Sequence, residues 1–196
     1  MTLKISVSPF VGAPRNPEVH AVKTDLLVLT QLAGKPLAPV PASVDRALNG
    51  LISRKIQLTR FKADLGNHLL VDVNPKDYPD APWRHILLVG LGHHHKFNGK
   101  AACQLFRCVV DKALELGVAH VTVPFVPNRM TGTSLNLMGT AHILKEVVDE
   151  RLTGGLENEV KWQELQLLCT PQAVRHVQQG LDIPCRHRRT CCVQEA

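Results

Sequence analysis

Two loops of this 196-residue chain carry residue types that can meet a phosphate-bearing ligand. The first is Gly90-Leu91-Gly92 followed by His93-His94-His95, with Lys96 and Lys100 close behind. The second runs Pro127-Asn128-Arg129-Met130-Thr131-Gly132-Thr133-Ser134 and offers amides, hydroxyls and one guanidinium just before a predicted helix. Each follows a predicted strand. Open α/β sheets bind ligands beyond the carboxyl ends of their strands, where glycine turns let backbone amides approach phosphate. The candidate ligand-binding residues are therefore Gly90, Gly92, Asn128, Arg129, Thr131, Gly132, Thr133 and Ser134.

Other chemistry finds less support. Three adjacent imidazoles suggest a transition metal, but consecutive residues rarely converge on one ion without partners from elsewhere. His93, His94 and His95 are thus weak metal candidates, and the run reads as an exposed polar turn. Gly99-Lys100 does not complete a phosphate-binding GxxxxGK[ST] loop, because position 94 is His and position 101 is Ala. No Gly-x-Ser-x-Gly elbow occurs, so nucleophilic hydrolase chemistry has no anchor. No catalytic residue and no cofactor is assigned.

The six cysteines do not form a disulfide framework. Cys103 and Cys108 fall in one predicted helix and Cys169 ends a predicted strand, positions that favour buried reduced thiols. The tail Cys185-Arg186-His187-Arg188-Arg189-Thr190-Cys191-Cys192 holds soft ligands but lacks a second paired-Cys knuckle at zinc-finger spacing. It reads as a flexible basic tail with oxidisable thiols.

The elements that must position these loops follow from the apolar pattern. Leu3, Ile5 and Val7 alternate as an edge strand, and Asp25 to Thr30 is a continuous apolar run covered on both faces. Ser43 is read as the N-cap of one helix carrying Val44, Ala47, Leu48, Leu51 and Ile52. His68 to Asp72 and Arg84 to Val89 make a hairpin-like pair. A helix over Ala101 to Leu116 presents Ala102, Leu105, Phe106, Val109, Val110 and Ala113 on one face, with Gly117 as its stop. Val118 to Val126 is a buried strand, Leu135 to Leu152 a helix, Val160 to Cys169 a last strand, and Pro171 opens a short final helix. This order predicts a three-layer α/β domain over 1–183, with a mixed sheet and helices on both faces, and a tail over 184–196.

Composition narrows the function. Lysine and arginine number 23 against 17 acidic residues, a net charge of +6. That mild excess favours polyanions at low salt without by itself indicating a nucleic-acid protein. Five Phe, two Trp and one Tyr are too few for a stacking platform on single strands. No apolar run reaches the roughly 18 residues of a membrane span. The first residues, Met1-Thr-Leu-Lys-Ile-Ser-Val7, lack the charged start and apolar stretch of a signal peptide, so a cytoplasmic protein with no membrane contact is expected.

The helix from Val44 to Lys55, the segment Gly66-Asn-His-Leu-Leu-Val71, the strand and turn Arg84-His-Ile-Leu-Leu-Val-Gly-Leu-Gly92 and the helix after it resemble the N-terminal domain of the leucine aminopeptidases. The strand ending at Cys169 and the segment Pro171 to Gly180 resemble the end of that domain. In that family the chemistry lies in a C-terminal domain, where a lysine, aspartates and a glutamate surround two metal ions near an Asn-Thr-Asp-Ala-Glu-Gly-Arg-like stretch. Nothing in these 196 residues resembles that stretch. The resemblance therefore implies a non-catalytic binding or assembly module, acting as a homo-oligomer or with a separate protein partner.

The same domain resembles the macro domain, many of whose members bind ADP-ribose. The 127–134 loop falls where macro domains cradle a diphosphate. Where hydrolysing members carry Asn-Ala-Ala-Asn, this chain has Leu29-Thr-Gln-Leu32, so the catalytic asparagine is missing. Where adenine is contacted the chain has Pro17-Glu18-Val19, which makes Glu18 the nucleotide-base candidate. An ADP-ribose or related nucleotide ligand is the alternative reading. DNA contact through the Arg-rich tail is a second alternative.

Overall fold

The computed structural model describes residues 3–10, 12–13, 16–17, 22–93, 98–124, 136–153 and 162–184. The chain opens with β1 (Lys4–Pro9) and a two-residue ribbon, β2 (Gly12–Ala13) against β3 (Asn16–Pro17). The long strand β4 (Thr24–Gln31) leads into helices α1 (Pro39–Ala47) and α2 (Leu51–Thr59). Then come β5 (His68–Asp72), β6 (Trp83–Gly90), α3 (Gly99–Leu116), β7 (His120–Pro124), α4 (Leu137–Thr153), β8 (Glu164–Cys169) and α5 (Val174–Asp182). Six strands form one sheet in the order β1-β8-β7-β4-β6-β5. All neighbours run parallel except β5, which pairs antiparallel with β6.

Strand periodicity divides the core. Alternate residues of a strand point to opposite faces. Leu26, Val28, Leu87 and Val89 therefore join one buried cluster with Phe106, Val110, Leu144 and Val177 from α3, α4 and α5. Leu27, Leu29, Ile86 and Leu88 join the other with Val40, Val44, Leu48 and Ile52 from α1 and α2. Helices thus cover both faces, which makes the fold the expected three-layer α/β arrangement around a mixed sheet. No helix among the described residues is long and apolar enough to cross a membrane.

Three expectations need correction. The single helix from Ser43 is two helices, because Asn49 and Gly50 both take positive φ, +50° and +79°. Asn and Gly are the residues that enter this left-handed region most readily. Asp45 then reaches across the break, accepting hydrogen bonds from the Ser53 amide at 3.0 Å and the Ser53 hydroxyl at 2.5 Å. Ser43 itself is buried inside α1 and is not its N-cap; Ala38 occupies that position, ahead of Pro39. Second, Cys103 is disulfide-bonded rather than a reduced thiol. Cys108 and Cys169 are free, and burial pushes both thiols up from their ordinary pKa, which suppresses the nucleophilic thiolate. Third, the final helix begins at Val174, three residues after Pro171.

The termini of the long elements are closed by specific hydrogen bonds. The Asn98 side chain accepts from the Ala101 amide at 3.0 Å, and Gly117 ends α3 in the left-handed conformation. Edge strand β1 is tied to β8 by the Ser6 hydroxyl, which donates to Glu164 at 2.8 Å. That hydrogen bond, with Lys4 alongside, outweighs burial and holds the Glu164 carboxyl below its ordinary pKa. On the outer surface α3 and α4 exchange two ion pairs, Arg107 with Glu150 at 2.8 Å and Asp111 with Arg151 at 3.0 Å.

At the amino end of β4, Asp25 accepts hydrogen bonds from the amides of Ala119 at 3.1 Å and His120 at 3.0 Å. Burial alone would raise its pKa, but these two amides and the nearby Arg84 outweigh burial and lower it. The sign of the linkage follows: stability from this carboxylate is complete above the ordinary aspartate range, roughly pH 4, and is lost as pH falls through the lower folded value. Asp25→Asn should therefore lower the urea midpoint at neutral pH and shrink the further loss between about pH 5 and pH 3. Equal acid sensitivity in both proteins would refute this role.

Candidate functional site

A cleft of about 530 Å³ opens at the carboxyl ends of β4 and β6. Gln31, the last residue of β4, organises one wall. Its side chain is 5% exposed, and its Nε2 donates to the carbonyls of Leu32, Lys35 and Pro36 at 2.8–3.0 Å. Its Oε1 accepts from the Ala38 amide at 3.1 Å. One buried amide thus fixes the whole 32–38 connection and, with it, the start of α1. A buried polar group satisfied on both its ends is expensive to remove, because its partners lose their bonds too.

The opposite wall is the segment after α2, including Phe61, Lys62 and Asp64, and His93 reaches the cleft from just beyond the turn that follows β6. That turn contains Gly90 and Gly92, two of the residues the sequence offers as phosphate donors. All three amides here are donated inward: Gly90 to the Asn67 carbonyl at 2.8 Å, Leu91 to Gln31 at 2.8 Å, and Gly92 to Ala63 at 2.9 Å. The Gly92 carbonyl in turn accepts from the Ala33 amide. The two glycines therefore weld β4, β6 and the 61–67 segment together, and the turn's amides are not directed at a ligand. The lysines that line this cleft are Lys35 and Lys62.

His93 lines the same cleft. His94 and His95 lie outside the described residues, as do Glu18, Asn128, Arg129, Thr131, Gly132, Thr133 and Ser134. Among the described residues no group of three or more His, Cys, Asp or Glu side chains is placed to hold a metal ion. The sequence shows Gln31 only within Leu29-Thr-Gln-Leu32 and gives it no structural role, although a polar residue closing an apolar strand at its carboxyl end was the available signal. It assigns no role to the stretch Arg60-Phe61-Lys62, of which Phe61 and Lys62 line the cleft.

Comparison with known proteins fits this architecture. Residues 27–152 match the N-terminal domain of the cytosol aminopeptidase family. The chain belongs to that family. A relative named "Probable cytosol aminopeptidase" from Cupriavidus metallidurans is 33% identical over 87 residues, which is 44% of this chain and 16% of that protein. The chain thus spans a fifth or less of the length of the curated relatives it matches. Among solved structures, a tomato leucine aminopeptidase variant superposes with a TM-score of 0.64 at 16% identity, covering 92% of this chain and 36% of that one. A Trypanosoma brucei macrodomain in complex with ADP gives the same TM-score and identity, covering 90% of this chain and 68% of that one. At such identities the likeness is one of fold.

Proposed function

We propose that this cytosol aminopeptidase-type domain is a non-catalytic binding and assembly module. The observation that carries the reading is the family match, which falls on the N-terminal domain over residues 27–152. These 196 residues also contain no Asn-Thr-Asp-Ala-Glu-Gly-Arg-like stretch, and two-metal hydrolysis needs carboxylates converging on paired cations. On this reading the module assembles with a second copy or with a separate aminopeptidase subunit. The test pairs two measurements on the purified protein. No leucyl-peptide cleavage is expected with added manganese or zinc, and sedimentation should show a dimer or larger species, or a pull-down a peptidase partner. Metal-dependent peptide cleavage would sink the non-catalytic half, and a strict monomer with no partner would sink the assembly half.

A second reading is favoured by one specific observation. The cleft sits where open α/β sheets receive ligands and has the volume of a small-molecule site. A macrodomain of like fold has been solved with ADP. On this reading the module binds ADP-ribose or a related nucleotide. Thermal unfolding with ADP-ribose at a hundred times its dissociation constant should add about 2.7 kcal/mol. Gly132→Glu should abolish the gain, and superimposable melting curves with and without the nucleotide would exclude the reading.

A further inference from the structure

Beside the cleft, the C-terminal end of α2 adds Arg60 to the cations Lys35 and Lys62 that line it. Helix α2 ends in a Schellman arrangement: the Phe61 amide donates to the Ile56 carbonyl at 3.1 Å and the Arg60 amide to Gln57 at 3.3 Å. The position that must turn left-handed in this motif is by default glycine. Here it is Arg60, at φ +52°. A non-glycine residue in this region carries a backbone cost, and such outliers concentrate where a side chain has a use.

The use is visible in what Arg60 borders. A second cavity, of about 570 Å³, is lined by Arg60, Lys62 and His68 together with Phe61 and Asn67. Phe61 and Lys62 also line the cleft at the end of β4, where Lys35 stands on the other side. The two hollows therefore adjoin across the Phe61–Lys62 step. Around them stand three permanent cations, Lys35, Arg60 and Lys62, against one carboxylate, Asp64. Among the described residues none of these three cations forms an ion pair. An excess of cations around two adjoining hollows favours a multiply charged anion there. Arginine and lysine are the side chains that bind phosphate best, by fork geometry and by point charge respectively.

We propose that the step between these two hollows is a binding site for an oligophosphate, two or more linked phosphates lying over Lys62 with Arg60 and Lys35 at either end. The site shares Lys35, Phe61 and Lys62 with the cleft that favours the nucleotide reading, but it is decided by tripolyphosphate and Arg60 rather than by ADP-ribose and the 127–134 loop. The phosphate chain has two sources, inorganic polyphosphate or the phosphates of a nucleotide, and the test separates them.

The experiment is calorimetric titration of the full chain at low ionic strength with sodium tripolyphosphate and, separately, with ADP-ribose. Saturable one-to-one binding of tripolyphosphate is expected, weakened by about tenfold or more in Arg60→Gly and in Lys62→Gln, each tenfold being about 1.4 kcal/mol. Arg60→Gly keeps the fold, because glycine suits the left-handed position, so its melting temperature should equal or exceed that of the parent. Lys76→Gln, in the β5–β6 turn and lining neither hollow, should bind within twofold of the parent. Tighter binding of ADP-ribose that also falls in Arg60→Gly would identify a nucleotide as the source. Equal binding of both would leave the phosphate chain alone as the ligand. Absence of saturable tripolyphosphate binding, or equal losses in Lys76→Gln and Arg60→Gly, would overturn the site. ADP-ribose binding that persists unchanged in Arg60→Gly while tripolyphosphate fails to bind would overturn it and leave the nucleotide reading standing.

Discussion

Phe106→Ala is expected to lower the unfolding free energy by about 3–5 kcal/mol. Phe106 is 1% exposed and belongs to the cluster where α3 meets β4 and β6, among Leu26, Val28, Leu87, Val89 and Val110. A close-packed core relaxes only in part to fill the void its removal leaves. Truncation therefore removes both the transfer free energy and the contacts of the lining atoms. A domain of this size has only about 5–15 kcal/mol in hand, so the change should be visible as a large drop in the denaturant midpoint. Leu58→Ala is the matched control. Leu58 is 79% exposed on α2, and its truncation should stay within about 0.5 kcal/mol of the parent. A loss at Phe106 below about 1.5 kcal/mol would show that the α3 layer repacks, contrary to a close-packed three-layer core.

The contrast between these two leucine- and phenylalanine-bearing helices also explains what the sequence made legible. Helix α3 was readable from Ala101 to its end because its apolar stripe and its Gly117 stop agree, while its start at Gly99 rests on the Asn98 cap that the stripe does not mark. The strands were readable because the centres of β4, Leu26 to Leu29, and of β6, Ile86 to Val89, are unbroken apolar runs, as a sheet covered on both sides requires. The α1–α2 break was not, since Val44, Leu48 and Ile52 keep helical spacing straight across it. Two short helices facing the same sheet present the same pattern as one long one. The signal that separates them is the Asn49-Gly50 pair, a turn former placed inside an apparent helix.

The candidate site was less legible for a different reason. A glycine turn after a strand announces that backbone comes close to something, and spacing alone does not say whether that is a ligand or the chain itself. At Gly90 it is the chain. Gln31 was legible only as a departure from an asparagine motif, whereas its hydrogen bonds make it the organiser of the 32–38 wall. Arg60 carries no sequence signal at all, because its meaning depends on a left-handed φ and on the two hollows it stands between.

Gly90→Ala is accordingly expected to cost about 3 kcal/mol, at the upper end for overpacking by one methyl group. A Cβ at this position would lie 2.3 Å from the Asp64 carbonyl oxygen and 2.6 Å from the Ala63 carbonyl carbon. Both are backbone atoms, so no rotamer change relieves the contact. The 61–67 segment must move outward, and it is held by the very bonds that cross the site, Gly90 to Asn67 and Gly92 to Ala63. Displacing it carries Phe61, Lys62 and Asp64 away from Lys35 and opens the cleft wall. The expected result is therefore a lower denaturant midpoint together with faster amide exchange at Gly90 and Gly92. Gly99→Ala separates this effect from the general consequences of replacing glycine. Gly99 begins α3, and its added methyl group would meet only Ile143 at 3.7 Å, an ordinary contact. That variant should be neutral or more stable by up to about 1 kcal/mol. If Gly90→Ala is as stable as Gly99→Ala, the 61–67 segment is not locked against the end of β6, and the turn's amides are open to a ligand after all.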